Sequence, residues 1–187
     1  MVLFHKMIFV SCDPGPSNCA VVVIEACFEI DLTGDTLAYK YTDTFKVLHS
    51  QTLSLVEVKA EQKGIPGMTA QFLQHLSDLD TKYKFELGAV EDQGYKHGIN
   101  CLPINVENNA IQGSFFGYFY GLQYGCKQVN PYDWKAFHKC HKTTKTISSY
   151  QKANLLSQII NRNKLQTVHE WDSAMIGLTS WYTRNDK

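Results

Sequence analysis

The chain has 187 residues, 44% of them hydrophobic and 12% aromatic, which is enough to build a substantial core in one domain and too short for two independent ones. It carries 18 basic and 18 acidic residues, but residues 1–126 hold 8 Lys+Arg against 14 Asp+Glu and residues 127–187 hold 10 against 4. The two parts therefore stand at about −6 and +6; the basic part is either a solvated face or the place where a nucleic-acid backbone would lie.

The opening "MVLFHKMIFVSC" has neither the long apolar stretch nor the small-residue cleavage site of a secretory signal. The six cysteines form no CxxC pair and are expected to be reduced, in a cytosol-like, intracellular compartment. Residues 7–12 read as a buried strand and "CAVVVIEA" (19–26) as a second, β-branched one. "CDPGPSN" between them makes a tight hairpin turn with Asp13 at its lip. Residues 36–54 supply a third strand. "KAEQKGIPGM" is a loop by its Gly and Pro content, and 68–83 shows helical spacing at Phe72, Leu73, Leu76 and Leu79. "FELGAVEDQ" (85–93) is a short strand ending in acids.

Residues 105–125 read as a long helix in which Ala110, Ile111, Phe115, Phe119 and Leu122 recur at helical intervals. Gly113, Gly117, Gly121 and Gly125 fall every fourth residue, and each costs up to ~1 kcal/mol of helix propensity, so close packing is expected around them. That packing is against the protein's own sheet or across a dimer. Gln112, Ser114 and Gln123 interrupt the stretch, which is too short and too polar for a membrane span. "CKQVNP" (126–131) reads as a fifth strand stopped by Pro131. Between 127 and 152 there are six lysines and one acid, Asp133. Helices follow at about 149–162 and 168–183. His138, Cys140 and His141 lack zinc-finger spacing and read as incidental. The pattern is α/β, with an antiparallel three-strand start followed by alternating helices and strands.

Three acids lie at the edges of apolar elements: Asp13 ends the first strand, Glu91 ends "LGAV", and Asp172 precedes "SAMIGL" in the last helix. Each has an ordinary reading as a turn former, a solvated strand end or a surface acid near a helix start. If strands one and four are neighbours, Asp13 and Glu91 emerge at one end, and a helix laid across that end adds Asp172. Carboxylates brought so close repel and call for divalent cations, with hard oxygen ligands favouring Mg²⁺ or Mn²⁺. Two such ions ~4 Å apart can activate water and stabilise the leaving oxygen of a phosphodiester.

In this order the residues resemble the RuvC-type Holliday junction resolvases of the RNase H-like superfamily, most of all those of poxviruses and related large DNA viruses. "CDPG" matches the first acidic motif, "AVEDQGY" the second, and "NNAIQG" is similar to the start of the central helix. "VNPYDWK" looks like the Pro-containing strand end that leads to DNA-binding lysines, and "HEWDSA" like the last acidic motif, where family members have His or Asp at its first position. The resemblance covers nearly the whole chain. It implies a single RNase H-like nuclease domain over 1–187, with a five-stranded mixed sheet flanked by helices.

It further implies a structure-selective endodeoxyribonuclease that resolves four-way DNA junctions with Mg²⁺, Mn²⁺ substituting, and two ions per active site. Asp13, Glu91 and Asp172 would be metal ligands, and His169 a fourth ligand or a general base. Glu170 would point about 100° away from His169 around the helix and reads as a surface acid. Lys135, Lys145 and Lys152 would contact DNA, and Tyr95 would stack on a base. Family members are homodimers, which makes the Gly-rich helix at 105–125 a candidate twofold contact. If the source is viral, the enzyme would act where viral DNA replicates in the host cell. A catalytically inactive branched-DNA-binding protein of the same fold is the alternative. An actin-like nucleotide-binding module built on Asp13-x-Gly15 is disfavoured by the short chain.

Overall fold

A computed structural model describes the backbone of residues 2–31, 38–56, 64–93, 102–138 and 159–183. Its strands are β1 (Val2–Asp13), β2 (Cys19–Asp31), β3 (Ala38–Leu53), β4 (Leu87–Glu91), β5 (Gly125–Val129) and β6 (Ile159–Ile160). Its helices are α1 (Ile65–Tyr83), α2 (Leu102–Gly121), α3 (Pro131–Phe137) and α4 (Val168–Tyr182), with a 3-10 turn at Arg162–Lys164.

The strands form one mixed sheet in the order β5-β4-β1-β2-β3-β6. β1, β2 and β3 run antiparallel, as their β-branched sequences and the tight first turn predict. β4 joins β1 in parallel and β5 joins β4 in parallel. The sheet has six strands among the described residues rather than five. The added strand is β6, parallel to β3 at Phe45 and Lys46, where the sequence predicts a helix running to residue 162. Asn161 is left-handed (φ 62°), so the chain turns there instead of continuing a helix; the earlier part of that predicted helix, 149–158, lies outside the described residues.

Alternation along β1 divides the core into two layers. Val10 and Cys12 face α1 and α2, packing with Phe72, Leu76, Ile111, Phe115 and Phe119. Phe9 faces the opposite side, where Val22, Ile24, Phe45 and Ala89 pack against Trp171, Met175, Ile176 and Trp181 of α4 and Trp134 of α3. Ser11 shares that side: it accepts from the Ser173 hydroxyl of α4 at 3.2 Å.

The glycines of α2 do not mediate close packing against the protein's own sheet. A Cβ built on Gly113, Gly117 or Gly121 has nothing within 4 Å, and Gly125 belongs to β5. The helix meets the sheet through Ile111, Phe115 and Phe119, one turn apart on a single stripe, all buried. Gly88 of β4 makes room for them, because a Cβ there would stand 2.8 Å from the Phe119 ring and 2.9 Å from Phe115. Gly177 does the same for α4, where an added Cβ would lie 2.8 Å from Phe9 and 3.0 Å from Ser11 Oγ. No described helix is long and apolar enough to cross a membrane.

Candidate active site

The parallel register of β1 and β4 pairs Cys12 with Val90, so the next residues, Asp13 and Glu91, leave the sheet side by side at the same end. The two-residue alternation turns both toward the α4 layer, as it does Ser11 and Ala89. The Pro14–Asn18 turn is tied down behind Asp13, because the Leu55 amide donates to the Pro16 carbonyl at 2.8 Å.

α4 brings the remaining residues. Thr167 caps it, with its hydroxyl accepting from the Glu170 amide at 3.2 Å. Glu170 is 5% exposed and is not the surface acid expected from its position on the helix. One carboxylate oxygen accepts from the Gln166 amide at 2.7 Å, and the other from the Thr52 hydroxyl of β3 at 3.0 Å. This variant of the capping box offsets the desolvation of Glu170 and fastens the start of α4 to the end of β3.

With its start anchored there and Gly177 seated on β1, α4 carries His169 and Asp172 over the strand ends. His169 Nδ1 donates to Asp13 Oδ2 at 3.0 Å. Ligand atoms of Asp13, His169 and Asp172 all lie within 4.8 Å of one another. Asp172 is 2% exposed, and the positive end of the α4 dipole lies at this cluster.

Glu91 stands on the other side of Asp13. Burial first, and the negative charge of Asp13 second, push its carboxyl up to about 7, while the Trp134 hydrogen bond and Lys135 act the other way. Trp134 Nε1–H donates to one Glu91 oxygen at 3.1 Å and Gln93 Nε2–H donates to the other at 2.9 Å. Lys135 crosses the Trp134 ring with its ammonium 5.0 Å from the centroid. A cleft of about 480 Å³ joins Asp13, Glu91, His169 and Lys135 to the turn at 14–18. Two oxygen-bearing acids, an imidazole and a third carboxylate kept from ionising readily by burial and by its neighbour make a donor set suited to a hard divalent cation.

The structure thus brings together five sequence-predicted residues: Asp13, Glu91, His169, Asp172 and Lys135. Tyr95, Lys145 and Lys152 lie outside the described residues. His138 is buried in the contact between α3 and α4, where its Nε2–H donates to the Met175 carbonyl at 3.1 Å, so it belongs to the core; Cys140 and His141 are outside the described residues. Sequence reasoning did not single out Trp134, Gln93 or Asn108. The available signal was that each lies within a quoted motif, in "DWK", "EDQ" and "NNAIQG".

A mixed sheet whose first and fourth strands present acids beside an acid-bearing final helix defines the RNase H-like architecture. Among solved structures the chain has the fold of the RuvC-type Holliday junction resolvases. Thermus thermophilus RuvC in complex with Holliday junction substrate matches with a TM-score of 0.67 over 96% of each chain at 12% identity. The yeast mitochondrial Holliday junction resolvase Ydc2 matches with 0.56 over 95% of this chain and 83% of its own, at 11% identity. Fowlpox virus resolvase, solved with its substrate Holliday junction DNA, matches with 0.50 over 94% and 99% at 17% identity. No family model and no curated protein matches the sequence.

Proposed function

We propose that this protein is a metal-dependent, structure-selective endodeoxyribonuclease that resolves four-way DNA junctions, its chain forming one RNase H-like nuclease domain. The observation that carries this reading is the convergence of Asp13, Glu91, His169 and Asp172, from two adjacent strand ends and one crossing helix, in a cleft that also holds Lys135. The likeness of fold to resolvases supports it.

Asp13, with ligand atoms of its neighbours on both sides, is the central ligand, and Glu91, His169 and Asp172 complete the set. Mg²⁺, or Mn²⁺ in its place and two ions per site, would supply an activated water and neutralise charge on the scissile phosphate. Lys135 is placed along the cleft to pair with a phosphate oxygen. Water adds to phosphorus, the bond to O3′ breaks, and the strand is left with 5′-phosphate and 3′-hydroxyl ends. The lysine-rich 127–152 segment, with Lys145 and Lys152, and Tyr95 after Glu91 would extend the DNA contact beyond the cleft.

Cutting two opposed strands of a junction requires two such sites, which a homodimer supplies. The outer face of α2, with Gly113, Gly117 and Gly121 open and Tyr120 87% exposed, is the surface proposed for the twofold contact. The activity belongs to DNA recombination or, for a viral protein, to processing of replication intermediates where viral DNA is copied.

The deciding experiment compares metal-dependent cleavage of a synthetic mobile four-way junction with that of linear duplex. Parent protein is expected to cut the junction, and Asp13→Asn, Glu91→Gln and Asp172→Asn to bind it without cutting. Junction binding by the parent with no cleavage under any divalent cation would identify an inactive branched-DNA-binding protein instead.

A further inference from the structure

The cleft holds a set of hydrogen bonds that the four ligands alone do not require. Glu91 receives a donor on each oxygen, Trp134 Nε1–H at 3.1 Å and Gln93 Nε2–H at 2.9 Å. Gln93 is itself oriented, because its Oε1 accepts from Asn108 Nδ2–H of α2 at 2.8 Å. Its backbone amide also points at Gln112 Oε1, one turn further along α2, at 3.4 Å. Trp134 is 1% exposed, Asn108 5% and Gln112 8%, so these groups are fixed by packing as well as by bonding.

The directions of these bonds matter. From Asn108 to Gln93 to Glu91, each amide turns its N–H toward the carboxylate. The cost falls on Asn108, whose buried Oδ1 has no hydrogen-bond partner among the described residues. An unpaired buried acceptor is costly, and Asn108 bears that cost in the orientation that sends its donor toward Gln93. A buried acceptor left without a protein partner calls for a reason, and the donor that this orientation turns toward Gln93 supplies one here.

We propose that Trp134, Gln93 and Asn108 are positioning residues that clamp the Glu91 carboxylate toward Asp13, with its outer lone pairs occupied and the remaining ones presented to the cleft. The inference rests on the proposed metal site and adds what sets its affinity. A carboxylate held in the binding rotamer loses little freedom when a cation arrives, and such outer partners raise metal affinity by about 10–100-fold. Trp134 and Gln93 reach Glu91 from different segments, so the clamp closes only when α2, β4 and α3 are in register.

Calorimetric titration of the purified chain with Mn²⁺ tests this without relying on cleavage. Trp134→Phe keeps an aromatic ring and removes the donor. Asn108→Leu keeps the volume, removes the donor together with the unpaired Oδ1, and leaves Gln93 free to turn its amide away from Glu91. Each variant is expected to bind Mn²⁺ about 10-fold or more weakly, a loss larger than any change in metal-free thermal stability accounts for. Mn²⁺ affinities within about twofold of the parent in both variants would overturn the clamp, as would losses that only follow the melting temperature. Asp13→Asn separates the two levels of inference. If it abolishes Mn²⁺ binding while the clamp variants bind like the parent, the metal site stands and the clamp fails; a parent that binds no Mn²⁺ overturns both.

Discussion

Gly177 of α4 rests on Ser11 of β1 so closely that a Cβ on the glycine would lie 3.0 Å from the serine Oγ and 2.8 Å from the neighbouring Phe9 ring. This contact sets the height of α4 above the sheet, and Asp172 and His169 sit on the two turns before it. Phe9 is buried and stacked on Trp181 at 5.8 Å, so it has little room to yield. Gly177→Ala is therefore expected to destabilise the fold by about 1–3 kcal/mol, read by urea unfolding. Junction cleavage should fall further than the loss of folded protein accounts for, because the lifted helix carries two of the proposed ligands away from Asp13.

The Glu91 carboxyl, raised from an ordinary 4.5 to about 7, makes the metal-free fold sensitive to alkali. A group whose folded pKa is raised stabilises fully below its unfolded value and loses that contribution as pH rises through the folded one. Between about pH 4.5 and 7 the metal-free protein should thus lose stability from this source. Glu91→Gln should flatten that slope in thermal unfolding, and Mg²⁺ or Mn²⁺ should restore the parent at pH 8.

His138 works in the opposite direction. Burial lowers its imidazole from 6.5 to about 4, against the raising effect of the hydrogen bond to Met175. Its contribution is present above the unfolded value and is lost as pH falls through about 4. His138→Gln should be less stable at neutral pH, yet lose less on acidification from pH 6.5 to 4, as followed by circular dichroism.

His169 permits a conservative exchange. If it serves as a ligand, His169→Asp supplies an oxygen donor at the same helix position and should keep cleavage within about 10-fold in Mn²⁺, whereas His169→Ala loses more. If it accepts a proton, both variants should fall together and the alkaline-rising limb of the rate profile should disappear.

The open glycines of α2 give opposite expectations for folding and assembly. A Cβ on Gly117 meets nothing within 4 Å, and Gly117→Ala improves helix propensity by up to about 1 kcal/mol, so the isolated chain should become more stable. If that face is the twofold contact, the same change should shift sedimentation toward monomer. A dimer of unaltered affinity would place the contact elsewhere.

The strand ends carrying Asp13 and Glu91 were legible because each acid closes an apolar run, a pattern that survives without tertiary information. The last helix was legible at about 168–183, but not that every residue from Glu170 to Thr179 on it is buried. The burial of Glu170 was not legible, because it depends on Thr52, more than a hundred residues away in sequence. β6 is two residues long, and its existence depends on the free edge of β3 rather than on local preference. The regular glycines of α2 suggested packing through spacing alone, whereas the tight contacts fell to Gly88 and Gly177. Spacing shows which residues share a face, not which face meets a neighbour. The Trp134–Glu91–Gln93–Asn108 arrangement draws on three segments, and only their folding together reveals it.

Trp134 has a final practical consequence. Its indole N–H touches a carboxylate in the proposed metal site while its ring carries the Lys135 ammonium, so its excited-state dipole lies in the electric field of that site. The other two tryptophans, Trp171 and Trp181, lie in the apolar layer beneath α4. With both replaced by phenylalanine, the emission of Trp134 becomes an optical gauge of cleft occupancy, one that reads a cation or a phosphate arriving before any strand is cut.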